Sequence, residues 1–334
     1  MAQPLGRRAL PLIGGLALLA LLNVAMLWGL YVEGAVIPFD FVASYHAVPF
    51  FWIEAARAGV SSAWVPFQAF GYPLYLNAQS GLHYPGFWWF VLADRSYDHA
   101  AAVVFQGLHI LLGAAGAGVC ARLSGMRWST ALLAAAGYQA FGAFYSNASH
   151  PDIVRAHALT PWVLPPALAL WERRPAFDLS VLTLPVWAYA LWAGGYAGAA
   201  VAGFAPPGPG GLVPVLGRAG PARRAGLWIL PALLVGTLLA GLFLLPATLD
   251  RGEIVRAAEG VRPPTEYLQW RDLLALVLRV DNSGWFGHDV TMRSFALGLP
   301  VVLLAAGRAC MGRWGWGKPP LLLVLISMLM ATRV

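Results

Sequence analysis

Apolar stretches close to the length of a bilayer recur along this 334-residue chain, and no other feature constrains its fold as strongly. A helix needs roughly 20 residues to cross the hydrocarbon core. Within that core every backbone N–H and C=O must find its partner inside the protein, so isolated loops are excluded. The runs lie near 9–32, 99–121, 129–146, 157–171, 178–193, 195–216, 226–247, 293–308 and 319–334. Only 11% of the residues are charged, whereas soluble domains carry about a quarter. The expected fold is an all-α polytopic membrane protein, a helical bundle forming a single transmembrane domain over residues 1–334.

Several boundaries carry their own signals. Arg7-Arg8 ahead of an apolar run has the form of a signal peptide. However, the run continues from Ala9 to about Val32 without a small-residue cleavage site before Glu33, which predicts a retained first helix. Pro161, Pro165 and Pro166 predict an irregular fourth helix. Gly194-Gly195 predicts a break, and the Pro/Gly-rich stretch 206–211 is a poor helix former. The last run, 319–334, is barely of spanning length and ends without a polar tail, as expected of a short or truncated product.

Positive charge orients the bundle. Arg7, Arg8, Arg122, Arg127, Arg173, Arg174, Arg218, Arg223, Arg224, Arg308, Arg313 and Lys318 all fall in loops on one side. The positive-inside rule makes that side cytoplasmic, N-terminus included. The net charge of +7 then reflects topology and anionic lipid, and no nucleic-acid partner is expected. Outer loops follow at 33–98, 147–156 and 248–292. They hold every acidic residue except Glu172 and Asp178, so polar chemistry belongs on the outer face. Residues 41–58 read as an interfacial helix within the first long loop. Cys120 and Cys310 sit at inner helix ends, where a disulfide is not expected, and no zinc-ligand spacing accompanies them.

Three outer segments carry candidate chemistry, each with an ordinary counterpart. Asp40 sits at the membrane boundary between aromatic residues. There it serves either as a base with a raised pKa or as an interfacial cap. The segment 147–156 offers His150, Asp152, Arg155 and then His157. Together with Asp40 these could meet around a phosphate or a divalent cation, the one cofactor the residues admit; alternatively Asp152 caps a polar turn. The stretch 72–84 sets Asn77, Gln79, His83 and Tyr84 among aromatic residues, suited to sugar binding or simply to lying flat on the membrane. In the third loop Arg251 and Arg256 lie near a helix exit where a lipid phosphate would sit, although their alternation with acidic residues also describes a solvated, ion-paired helix. The spans are nearly free of ionisable groups, His109 excepted, which argues against ion-coupled transport. No nucleotide-binding glycine motif is present.

The combination of Asp40 with Trp64, Pro66, Gly71, Pro73, Gln79, Ser80, Gly81, Tyr84 and Pro85 resembles the first outer loop of bacterial YfhO-type membrane proteins of the GT-C glycosyltransferase superfamily. The similarity extends through His150–His157 into Thr160-Pro161-Trp162, and through Leu244-Leu245-Pro246-Ala247-Thr248. This resemblance implies an enzyme of the bacterial plasma membrane with its site on the outer face. It also implies a polyprenyl-phosphate sugar donor and a cell-envelope glycan, lipid or protein acceptor. Asp40 takes the position of the general base and Asp152 that of a second carboxylate. Asn77, Gln79, His83, Tyr84 and His150 would bind substrate, and Arg155, His157, Arg251 and Arg256 the lipid phosphate. Two departures stand out: Asp40 is followed by Phe41 rather than a second acid, and the chain is shorter than its counterparts. A lipid-sugar flippase and a non-catalytic membrane scaffold are the alternatives.

Overall fold

The computed structural model describes residues 5–38, 40–68, 70–77, 81–123, 125–172, 177–194 and 221–250. The expected spans at 195–216, 293–308 and 319–334 lie outside these, as do Gln79, Arg251 and Arg256. The described chain is mostly helical. Two helices are long and apolar enough to cross a membrane, His99–Leu123 and the stretch Ile229–Ala247.

Helix α1 (Leu5–Met26) ends earlier than the apolar run, and a single turn, α2 (Trp28–Tyr31), follows. Gly34 then takes a left-handed φ of 68° and turns the chain out, while Ala35 N–H donates to the Gly29 carbonyl. The long loop 33–98 opens with a π-helical segment (Phe41–His46) running directly into α3 (Ala47–Arg57), where an interfacial helix was expected. A two-residue β-ribbon, β1 (Trp64–Val65) antiparallel to β2 (Tyr72–Pro73), leads through a short 3₁₀ turn (Leu74–Leu76) toward α4 (Pro85–Leu92). Pro85 at the first helical position loses nothing, because its missing N–H had no intrahelical acceptor.

The bundle comprises α5 (His99–Leu123), α6 (Trp128–Gln139), α7 (Gly142–Ser146), α8 (Pro151–Glu172), α9 (Phe177–Ala193) and α10 (Pro221–Leu249). Helix α5 is central, packing against α1, α6 and α8, and α8 and α10 flank α9. Glycines bring the axes together. A Cβ on Gly113 would lie 2.9 Å from the Ala158 backbone, and one on Gly116 would lie 2.7 Å from the Trp162 ring nitrogen. On the other side, a Cβ on Gly236 would lie 2.5 Å from the Pro185 carbonyl. Small residues at such crossings let the helix backbones approach closely and pack.

Two sequence-based expectations need correction. The apolar run 129–146 is not one helix: it breaks at Ala140-Phe141, and Tyr145 O–H caps the freed Gln139 carbonyl at 2.8 Å. Conversely, the three prolines of α8 do not break it. Each proline deprives the carbonyl four residues earlier of its donor. For Pro161 that carbonyl belongs to His157, and Tyr138 O–H bonds it at 2.7 Å. For Pro165 it belongs to Pro161, which accepts from Cys120 Sγ at 3.1 Å. Neighbouring helices thus supply what the sequence of α8 removes.

Buried polar side chains staple the same bundle. Asn23 Nδ2 donates to the Gly107 carbonyl at 3.0 Å, Gln139 Nε2 to Leu19 at 2.9 Å and Trp162 Nε1 to Leu112 at 2.8 Å. His109, the ionisable residue in the middle of α5, belongs to this class. Its Nδ1–H donates to the Phe105 carbonyl at 2.7 Å, so in the neutral ring Nε2 accepts from Tyr84 O–H at 2.7 Å.

Candidate functional site

The site assembles where the π-helical segment meets the start of α8. Asp40 stands at the head of that segment with its side chain 59% exposed, and its Oδ2 lies 3.2 Å from His150 Nε2. His150 Nδ1 lies 3.1 Å from Ser149 Oγ. The imidazole thus has a polar neighbour at each nitrogen, with its ring edge against Tyr45 at 5.7 Å between centroids.

Beneath this pair lies Asp152, which has no solvent exposure. Its Oδ2 accepts from Tyr45 O–H at 3.3 Å, and its Oδ1 has no partner among the described residues. Burial raises the Asp152 pKa above the usual carboxylate range, and Arg155 opposes that shift. Tyr45 is raised too, first by burial and then by the Asp152 charge, so its hydroxyl remains a donor at neutral pH. Asp152 and Arg155 fall in α8 rather than in a loop, because the helix begins at Pro151 and three residues' spacing sets both on one face.

Arg155 is only 2% exposed. Its Nε donates to the Gly194 carbonyl at 3.0 Å, and its guanidinium lies 5.7 and 5.2 Å from the ring centres of Tyr84 and Phe87. Nη2 has no partner among the described residues. The loop before Tyr84 closes over it at Gly81, where φ is 69° and a Cβ would sit 2.7 Å from Nη2. Both facts demand glycine. Tyr84 is itself buried. Its phenol is pushed up to about 12 by burial, Arg155 acting in the opposite direction, and its hydroxyl is committed to His109.

The other candidates stand elsewhere. Asn77 and His83 line a small groove shared with Leu74, Gly81, Trp192 and Phe243. Asn77 Nδ2 donates to Tyr72 O–H at 2.9 Å, and the His83 ring stacks on Phe243 at 4.0 Å. Neither Asp40, Tyr45, His150 nor Asp152 lines this groove; Gly81 lines it and also approaches the Arg155 guanidinium. His157 is apart from both, its ring against Phe141 and Phe144. No group of three or more His, Cys, Asp or Glu among the described residues is arranged to hold a metal ion.

Tyr45 was not marked by the sequence, since an aromatic residue on an interfacial helix has no distinctive spacing. The one available signal is its position five residues after Asp40, which matters only once the backbone is known to be π-helical. No family model, curated protein or solved structure matches this chain. The likeness to YfhO-type proteins accordingly rests on the motifs quoted above.

Proposed function

We propose that this chain is a multi-pass glycosyltransferase of the bacterial plasma membrane. In this reading it moves a sugar from a polyprenyl-phosphate carrier to an extracytoplasmic acceptor at the outer ends of its helices. The observation that carries the reading is the 3.2 Å approach of exposed Asp40 to His150, set directly above buried Asp152 and next to Arg155 on α8. A scaffold has no need to converge titratable groups from two separate outer segments on one point, and desolvating them is costly.

In the proposed reaction, Asp40 removes the proton from an acceptor hydroxyl as its oxygen attacks the anomeric carbon. The bond from that carbon to the phosphate oxygen breaks, and polyprenyl phosphate leaves with the electron pair. Direct displacement inverts the anomeric configuration. His150 orients Asp40 through Nε2, while Arg155 supplies positive charge behind Gly81. The Asn77–His83 groove, lined by amide, imidazole and aromatic groups, is the proposed sugar or acceptor site. Arg251 and Arg256 remain proposed phosphate ligands from the third outer loop.

General-base catalysis is worth about 10²–10⁴-fold. Asp40→Asn should therefore reduce transfer from a radiolabelled polyprenyl-phosphate sugar in washed membranes by at least about a hundredfold, with unchanged abundance in the membrane. Full activity in that variant would remove Asp40 from the role of base.

A further inference from the structure

Asp40 and Tyr45 are five residues apart, and both touch His150. In an α-helix that separation places side chains roughly 140° apart around the axis. A π-turn closes its hydrogen bonds from i to i+5, bringing the two onto nearly the same side. The π-helical stretch Phe41–His46 begins directly after Asp40 and contains Tyr45. Such turns are rare and concentrate at functional sites. The far end of the Tyr45 side chain is anchored as well, its hydroxyl on the Asp152 carboxylate at the start of α8.

We propose that Tyr45 is a positioning residue: by bonding Asp152, it locks the π-helical segment against α8 and so holds Asp40 in register with His150. The proposal rests on the reading of Asp40 and His150 as the reacting pair, but its test does not require the substrate. Without the Tyr45 hydroxyl, the segment has no polar tie to Asp152, and relaxation to ordinary α-helical winding would swing Asp40 away from the imidazole. The charged and polar groups facing His150 are Asp40, Asp152, Ser149 and the Tyr45 ring edge. Of these, Asp40 and Tyr45 move with the segment when it rewinds, and Asp40 is the carboxylate of the two, whereas Asp152 and Ser149 stay with α8 and the turn before it.

The coupling can be read on the full-length protein in nanodiscs through the rate at which diethylpyrocarbonate modifies His150. That rate is followed by mass spectrometry at a single fixed pH. In the parent protein, Asp40→Asn should shift that rate upward at least about twofold, because the Asp40 carboxylate standing 3.2 Å from Nε2 no longer engages the ring. In a Tyr45→Phe background, which keeps the ring, the same Asp40→Asn change should have less than about a third of that effect. An undiminished shift in that background would overturn the positioning role while leaving the pair intact. No shift from Asp40→Asn in the parent would mean that the pair itself does not form, and both readings would fall. If Tyr45→Phe alone leaves too little folded protein, the combined Tyr45→Phe, Asp152→Asn variant removes the bare buried carboxylate along with its donor. The same loss of response is expected there, and an undiminished response overturns the proposal equally.

Discussion

At the residue scale, the site is a set of charges held at different depths. Asp40 keeps 59% of its side chain in solvent, whereas Asp152 and Arg155 are buried in the first two turns of α8. Arg155 eases the Asp152 charge from beyond ion-pair distance, and its own side chain bonds the Gly194 carbonyl and lies over Tyr84 and Phe87. Arg155→Ala should lower stability by about 2–3 kcal/mol by stripping these contacts, read as a fall in thermal midpoint in detergent. Asp152→Asn should cost less, since burial already disfavours the aspartate charge. Two histidines of the long loop 33–98 give the pH dependence a sign. Burial lowers the pKa of both His46 and His83, the former despite its bond to the Tyr97 carbonyl. The unfolded chain then binds protons more readily than the folded one below the unfolded value of about 6.5. Stability from this source is complete above that value and is lost as the pH falls through it toward the folded values. A thermal midpoint that drops between pH 7 and pH 5, less steeply in His83→Gln, is the expected result. Candidate residues at this scale were legible in the sequence because carboxylates and imidazoles at a membrane boundary are costly and conspicuous. Their partners were not legible, since Tyr45, Ser149 and Gly194 are ordinary residue types made relevant by position alone.

At the element scale, α8 shows how a helix survives a proline cluster. The donors lost at Pro161 and Pro165 are replaced by Tyr138 and Cys120 from the two adjacent helices. Tyr138→Phe should leave the His157 carbonyl unsatisfied and cost about 1–3 kcal/mol, a penalty much smaller in a Pro161→Ala background that restores the intrahelical donor. Equal penalties in the two backgrounds would show that the hydroxyl does not serve that carbonyl. The spacing between α5 and α8 depends likewise on single atoms. With Trp162 2.7 Å from where a Gly116 side chain would begin, Gly116→Leu should force the helices apart and abolish stable folding, whereas Gly137→Leu, with open space around it, should be tolerated. Among the described residues, the apolar runs 99–121, 178–193 and 226–247 fall within helices. The interruptions at Leu27 and at Ala140-Phe141 did not show; at the second, the freed Gln139 carbonyl accepts from Tyr145 O–H, a partner that no local pattern announces.

At the scale of the whole molecule, the proposed topology places the site and its groove together at the outer surface. Tyr75 O–H reaches the Asp250 carboxylate at 2.7 Å, tying the first outer loop to the end of α10. Single cysteines in a Cys120→Ala, Cys310→Ala background test this arrangement. Val60→Cys should react with a membrane-impermeant maleimide in intact cells, and Met126→Cys only after permeabilisation. The reverse pattern would invert the topology and place Asp40 on the cytoplasmic side. The sequence by itself determined that the chain is apolar and mostly helical, because hydrophobicity and its extent are properties each segment carries alone. It also marked Asp40, His150 and Asp152 as a candidate set. Only the tertiary structure decided that they meet through a π-turn, with Asn77 and His83 assigned to a separate groove and His157 to an aromatic nest. That division follows from helix register and from side chains bonding across tens of residues, and neither is encoded in the local pattern around any one of them.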